Sequence, residues 1–304
     1  MHVIALATSV TDLKNDDDMP LLLAACEELG VPTEVCAWDD PGVDWSRYAH
    51  VVLRSTWNYI ECREEFLAWA ERVAATTNLV NPLSVVRWAS DKHYLADLAA
   101  RGVPVVPSRF VEPGEDARAA LRDFLATNGQ AAELVVKPTV GSYSKNVKRF
   151  AGTAEDEATE HIVRLLEQNR SVILQPYLSS VDQVGETNLT YFDRVYSHAI
   201  RKSALLMSDG TVNGPTPDFR AARVADADEQ AVALAILDAT ADHLGLGRPL
   251  LYGRVDLIRG NDGRPMLLEL DICEPSLSFP FCDGGAMRFA RVLGQLLQSQ
   301  ESGA

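Results

Sequence analysis

The sequence is short of positive charge: 28 lysines and arginines face 43 acidic residues, a formal charge of −15 over 304 residues. A nucleic-acid backbone requires a cationic surface, so nucleic acid is excluded as the main partner, although a single nucleotide's charge can be met locally. Long apolar runs are also missing. The best candidate, residues 231–237, is short and flanked by acids, so no membrane partner is expected. Residues 1–8 carry neither a basic leader nor a cleavage pattern; they read as a first strand, with the cytoplasm as the expected location. Cysteine is sparse and odd in number. Cys26, Cys36, Cys62, Cys273 and Cys282 show no metal-type pairing and suit reduced thiols. The six histidines are scattered without zinc spacing, and no internal repeat, low-complexity tract or linker breaks the chain. What is present is ordinary globular composition, long enough for two or three subdomains.

Residues 1–88 alternate strands (3–7, 33–38, 50–53) with helices (19–29, 61–76). Gly30 and Pro32 stop the first helix, and Phe66, Trp69 and Val73 give the second an apolar side. Such alternation predicts a parallel, Rossmann-like sheet that binds ligands beyond the carboxyl ends of its strands. Two loops lie there: 9–18, ending in Asp16-Asp17-Asp18, and Arg54-Ser-Thr-Trp-Asn-Tyr59. The second joins a cation, two hydroxyls and aromatics, which suits an amino-acid-like ligand or, more plainly, a helix-capping loop.

Residues 89–180 predict helices at 90–100, 115–126 and 155–168, with strands at 103–106, 133–138 and 171–177. Between Lys137 and the next strand runs a loop with one glycine: Gly141, Ser142, Tyr143, Ser144. Its N–H groups and hydroxyls can cradle phosphate oxygens, though it does not open a helix as a P-loop does. Residues 181–304 predict strands at 186–192 and 195–204 around an Asp193-Arg194 turn. A polar loop at 211–223 follows, with Pro215, Pro217 and two arginines, then helices at 225–244 and 284–298.

Within that third stretch, residues 250–275 form two alternating apolar runs around Arg259-Gly-Asn-Asp-Gly-Arg-Pro265, a hairpin. Alternation places Arg254 and Asp256 on one face of the first strand, and Glu269 and Asp271 on one face of the second. With the turn centred on Asp262-Gly263, Asp256 stands opposite Glu269 and Arg254 opposite Asp271. Three carboxylates so close repel one another, and a hard divalent cation with oxygen ligands would offset them. The plain alternative is a solvated charged face.

The ordered set Lys92, Val136-Lys137-Pro-x-x-Gly141-Ser142, Leu174-Gln-Pro-Tyr177, Gly185-Glu186, Arg254-x-Asp256 and Glu269-x-Asp271 resembles the ATP-grasp superfamily of carboxylate–amine ligases over nearly the whole chain. The resemblance implies an α/β plus α+β fold in three parts. These are an N-terminal parallel-sheet substrate domain (1–88), a central lid subdomain (89–180) and a C-terminal subdomain carrying the metal site (181–304), the last two gripping ATP. Arg54-Ser-Thr-Trp57, Gly185-Glu-Thr-Asn-Leu189, Ser197-His-Ala-Ile-Arg-Lys202 and residues 268–275 resemble one branch in particular. It includes glutathione-synthetase-like ligases and the cyclo-ligases that close O-ureido-D-serine to D-cycloserine.

By that resemblance, Lys92 and Lys137 would contact the ATP phosphates, with Gly141, Ser142 and Glu186 completing the nucleotide site. Gln175, Pro176, Tyr177 and Leu178 would hold adenine, and Asp182 the ribose. Asp256, Glu269 and Asp271 would bind Mg²⁺, or Mn²⁺. Arg254 would steady the transferring phosphoryl group, and Arg201 or Lys202 the acyl phosphate. Arg54, Ser55 and Thr56 would bind the amino-acid-like substrate, whose ammonium Asp17 would pair. The implied activity is ATP-dependent ring closure of O-ureido-D-serine with loss of carbon dioxide and ammonia; an intermolecular carboxylate–amine ligase is the alternative, and a homo-oligomer is left open. Two departures from the family stand out: Asp271 where asparagine is common, and the glycine-poor loop.

Overall fold

The computed structural model describes residues 2–128, 132–142, 144–207, 211–212 and 219–301. Tyr143, Pro215 and Pro217, singled out above, lie outside the described residues.

The first sheet is built from β1 (Ile4–Thr8), α1 (Met19–Glu28), β2 (Thr33–Ala37), β3 (His50–Ser55), α2 (Arg63–Thr76) and β4 (Asn78–Val80), in strand order β2-β1-β3-β4 and parallel throughout. Every residue of β1 and β3 is buried, as a parallel sheet covered on both faces requires. On one face α2 packs Phe66, Trp69 and Val73 against Leu53 and Trp38. On the other, α1 supplies Met19, Leu22 and Cys26.

Next come α3 (Leu83–Ala89), α4 (Tyr94–Ala100), β5 (Arg109–Val111), α5 (Ala117–Thr127), β6 (Glu133–Pro138), β7 (Lys148–Ala151), α6 (Glu155–Leu166) and β8 (Val172–Pro176). Their four strands form an antiparallel sheet in the order β5-β8-β6-β7. Leu121 and Phe124 of α5 and Ile162 and Leu165 of α6 cover Leu134, Val136 and Leu174. The Asp116 carboxylate caps α5 by accepting the N–H groups of Arg118 and Ala119.

The last elements are α7 (Ser180–Val184), β9 (Glu186–Phe192), β10 (Val195–Lys202), β11 (Arg220–Arg223), α8 (Ala227–His243), β12 (Tyr252–Arg259), β13 (Pro265–Asp271) and α9 (Gly285–Glu301). They give a five-stranded antiparallel sheet, β11-β10-β9-β12-β13. Asp193 and Arg194 both take positive φ, as a two-residue hairpin turn matching the strand twist needs. An Asp226/Glu229 capping box opens α8. Helix α9 leaves this sheet to pack on α1, adding Phe289 and Leu293 to the core beneath Ile4 and Leu6.

Four sequence expectations need correction. The stretch 103–106 is no strand, because Pro104 and Pro107 cannot donate to a ladder; it makes one parallel bridge to β13, with Val106 N to Leu267 O at 3.0 Å and Leu267 N to Pro104 O at 2.7 Å. The helix expected from residue 90 begins at Tyr94, after a turn in which Asp91 accepts the His93 N–H at 3.1 Å, and α3 was not foreseen. Part of the supposed polar loop is the edge strand β11. In the β12–β13 hairpin, Arg254 faces Asp271 and Asp256 faces Glu269 as expected, but the register shifts by one beyond Asp256, so Leu257 meets Leu267. That bulge brings Leu268 and Glu269 to the same cavity wall. Among the described residues, no helix is long and apolar enough to cross a membrane.

Candidate active site

Residues of the second and third sheets, with Asn15, Asp17, Asp18, Trp57 and Tyr59 from loops of the first unit, line a cavity of 710 Å³, a volume typical of small-molecule sites. Part of its wall is apolar: Val135, Pro176, Leu178, Val181, Ile258 and Leu268. Gln175 and Tyr177 complete that part, with the Gln175 amide donating to Ser108 Oγ at 2.9 Å and the Tyr177 ring 3.5 Å from the Arg149 guanidinium. The charged part gathers Lys92, Lys137, Glu186, Lys202, Arg254, Glu269 and Asp271. Gly141 and Ser142 close over it, and Ser142 Oγ is buried without a hydrogen-bond partner.

These charges are arranged in pairs. Lys92 Nζ lies 2.8 Å from Glu269 Oε1 and donates to Gly141 O at 3.0 Å. Burial pushes the Glu269 carboxyl up, but Lys92, Lys137 and Lys202 together hold it below the usual range. Lys202 stands 3.3 Å from Glu186, whose carboxyl burial raises in spite of that partner. Lys137 is 7% exposed and forms no ion pair among the described residues. Burial pushes its ammonium down to about 8; Glu269 opposes this, while Lys92 and Lys202 reinforce it. Arg254 grips Asp256 through Nε and Nη2, each at 2.8 Å, contacts Asp271, and donates from Nη1 to Ser276 O at 3.0 Å. Asp271 is raised by burial, resisted by Arg254 and reinforced by Glu269 and Asp256.

The three carboxylates proposed for metal are therefore engaged by cations of the chain itself, and no three acidic, histidine or cysteine groups among the described residues converge as a preformed cage. Their chemistry still fits a hard cation. All donors are oxygens, and Asn188 Oδ1, directly across β9–β12 from Asp256, is buried without a hydrogen-bond partner.

Several expected contacts lie elsewhere. Arg54, Ser55 and Thr56 do not reach the cavity. Strand β3 runs on to Ser55, past the end expected at 53, and so encloses them between layers. Ser55 Oγ pairs with Thr8 Oγ1 at 2.8 Å, and Arg54 donates to Pro275 O at 3.1 Å, with Asp18 3.8 Å away. The wall at this point is made instead by Trp57, Tyr59 and Asp17. Arg201 alternates away from Lys202 along β10 and donates to Val184 O at 2.9 Å. Asp182 lies off the wall, accepting from the Tyr177 hydroxyl at 2.5 Å. Asp256 is 2% exposed, behind Arg254.

The sequence reading missed Arg220 and Glu274, both on the cavity wall. Arg220 opens β11; burial lowers its guanidinium, as does Arg254, while Asp18 and Asp17 counteract. Four residues of strand are too few for alternation to have marked it. Asp18 is fixed beneath the same wall, its carboxylate accepting the backbone N–H groups of Leu277 (2.6 Å), Ser278 (3.1 Å) and Phe279 (2.6 Å).

Gly185 takes φ +76°, and a Cβ there would sit 2.5 Å from the carbonyl oxygen of Lys202. Gly185→Ala should therefore displace the end of β10, costing about 1–3 kcal/mol, and lower turnover at least about tenfold. Urea unfolding and steady-state rates check both; wild-type turnover would show that the position of Lys202 is immaterial.

Residues 4–81 match the family described as the N-terminal domain of D-cycloserine synthetase DcsG. The chain is 56% identical over 298 residues to the cycloserine biosynthesis protein DcsG of Streptomyces lavendulae, covering 98% of this chain and 100% of that protein. It superposes on the crystal structure of D-cycloserine synthetase DcsG with TM-score 0.93 and 56% identity, covering 97% of this chain and 99% of that one. The ATP-grasp ligase PsnB, in a complex with a precursor variant, Mg and ADP, shares the fold at TM-score 0.64 and 18% identity, covering 95% of this chain and 97% of that one. Identity at that level along almost the entire length means that the chain belongs to the D-cycloserine synthetase (DcsG) family of ATP-grasp ligases.

Proposed function

We propose that the protein uses ATP to activate the carboxylate of O-ureido-D-serine as an acyl phosphate, which a ureido nitrogen of the same molecule then attacks to close D-cycloserine. The observation that carries this reading is the cation set Lys92, Lys137, Lys202 and Arg254 on one cavity wall, beside a patch with Asp17 and Arg220. Phosphoryl transfer is mainly positioning and charge neutralisation, which such a set provides. Adenine would lie against Val135, Ile258 and Leu268, held by the main chain of Gln175–Leu178. Lys92 and Lys137 would bind the phosphates, with Ser142 Oγ as a further donor. Arg254 and Lys202 would neutralise the charge that builds on the transferring group. Asp17 would meet the substrate ammonium and Arg220 its carboxylate. Mg²⁺ or Mn²⁺, held by Asp256, Glu269 and Asp271 with Asn188 beside them, would supply further charge neutralisation at the phosphates.

Three units carry these roles in our reading: 1–88 for substrate, 89–180 as lid and 181–304 for metal and phosphates. The setting is the cytoplasm and the partner a small amino-acid-like molecule. Incubation with ATP, Mg²⁺ and O-ureido-D-serine should yield phosphate, ammonia and a cyclic product. Release of phosphate only when a second amine is added, with a joined product by mass, would replace ring closure by intermolecular ligation.

Lys137 makes this reading pH-dependent. An ammonium with pKa near 8 in the free protein is charged below that pH and neutral above it. ATP affinity should hold up to pH 8 and then weaken by about tenfold per pH unit, whereas Lys137→Arg should flatten the decline. Calorimetric titration of ATP between pH 7 and 9.5 measures this, and a pH-independent Kd for the unsubstituted protein would refute it.

A further inference from the structure

Ring closure raises a demand that the phosphate-binding groups do not meet. As the ureido nitrogen forms its bond to the acyl carbon, the C–O bond to phosphate breaks and phosphate leaves with the electron pair. The proton on nitrogen must go to a base. Among the described residues six carboxylates line the cavity: Asp17, Asp18, Glu186, Glu269, Asp271 and Glu274. Asp18 is taken by Arg54 at 3.8 Å and by three backbone N–H groups. Glu186 is paired with Lys202, Glu269 with Lys92 and Asp271 with Arg254. Of these cavity-lining carboxylates, only Asp17 and Glu274 have no lysine or arginine among the described residues within ion-pair distance. Asp17 is exposed to solvent, which competes for any proton transfer it could make.

Glu274 is held differently. Its backbone carbonyl accepts the Trp57 indole N–H at 2.8 Å, and the carbonyl of Pro275, the next residue, accepts from buried Arg54. Burial raises its carboxyl, the neighbouring Cys273 and Tyr59 side chains and Lys92 counteract, and Glu269 adds to the shift. This carboxylate lines the cavity near Lys92, and no lysine or arginine among the described residues stands within ion-pair distance of it. Resting on the reading above, we propose that Glu274 is the general base of ring closure, taking the proton from the ureido nitrogen as it attacks the acyl phosphate. That proton then passes to the departing phosphate; removal of the carbamoyl group is a separate step that consumes one water.

The test separates activation from closure. Protein, ATP, Mg²⁺ and O-ureido-D-serine are mixed with hydroxylamine, which captures acyl phosphate as a hydroxamate without needing the base, and the hydroxamate and cyclic product are counted. Glu274→Gln, which keeps the size of the side chain, should leave hydroxamate within about threefold of wild type and reduce ring closure about 10²–10⁴-fold. Formate added to Glu274→Ala should restore part of the cyclic product. Ring closure within tenfold of wild type in Glu274→Gln, or hydroxamate and cyclic product falling together, would overturn the assignment. If the wild type gives neither product, the proposed activity fails and takes this inference with it; if the wild type and Glu274→Gln give both equally, only Glu274 is refuted.

Discussion

Replacing Arg254 by lysine should lower turnover by about 10²–10³-fold, the cost of losing one well-placed charge-stabilising donor, and leave the protein folded. The charge survives but the fork does not. Arg254 engages both oxygens of Asp256, reaches Asp271 and donates to Ser276 O, four attachments that a planar guanidinium makes at once. A lysine ammonium is a point donor on a flexible stem and cannot span them. On the proposed role of Arg254 at the transferring group, kcat should fall more than the KM for ATP rises. Arg254→Met should do something different: it leaves Asp256 buried and Asp271 half-buried without their cation, a destabilisation of about 3–5 kcal/mol. Steady-state kinetics with urea unfolding distinguishes the two, and a lysine variant within fivefold of wild type would remove Arg254 from the chemistry.

A stability loss as large as that of Arg254→Met should come from Asp18→Ala. One carboxylate, 2% exposed, accepts three consecutive backbone N–H groups and the Ser276 hydroxyl, and stands 3.8 Å from the buried Arg54 guanidinium. Removing it strands those donors and leaves Arg54, whose Nε and Nη1 already have no partner, as an uncompensated interior charge. The expected loss is about 3–5 kcal/mol, or a melting point lower by roughly 6–20 °C. Adding Arg54→Met should recover part of it, because the two residues share one site and their effects should not add. Calorimetry on both single variants and the double variant decides the matter: additive losses would mean that Asp18 and Arg54 are independent.

How much of this could be read from the chain differs between its parts. The pairing of Arg254 with Asp271 and of Asp256 with Glu269 follows from alternation and the position of a turn, both local properties. The bulge that follows depends on what the hairpin packs against, and no local signal announces it. Lys92 and Lys137, singled out by the order of their motifs, both line the cavity. Arg54 was misjudged because a polar stretch after a strand looks like a loop, whereas here the strand simply continues and buries its charge. Arg220 and Glu274 were missed for the opposite reason. Each is an ordinary charged residue until the cavity assembles around it from distant segments.

The packing of α9 onto α1 has a consequence for synthesis. Roughly 250 residues separate the two helices, so at about 5–20 residues per second a ribosome takes roughly 13–50 s to deliver the second after the first. For that interval Met19, Leu22 and Cys26 of the nascent chain lack the partners Phe289 and Leu293 that complete their core. The N-terminal sheet is thus completed only once α9 has been made, and until then the apolar face that α1 presents to it stays uncovered.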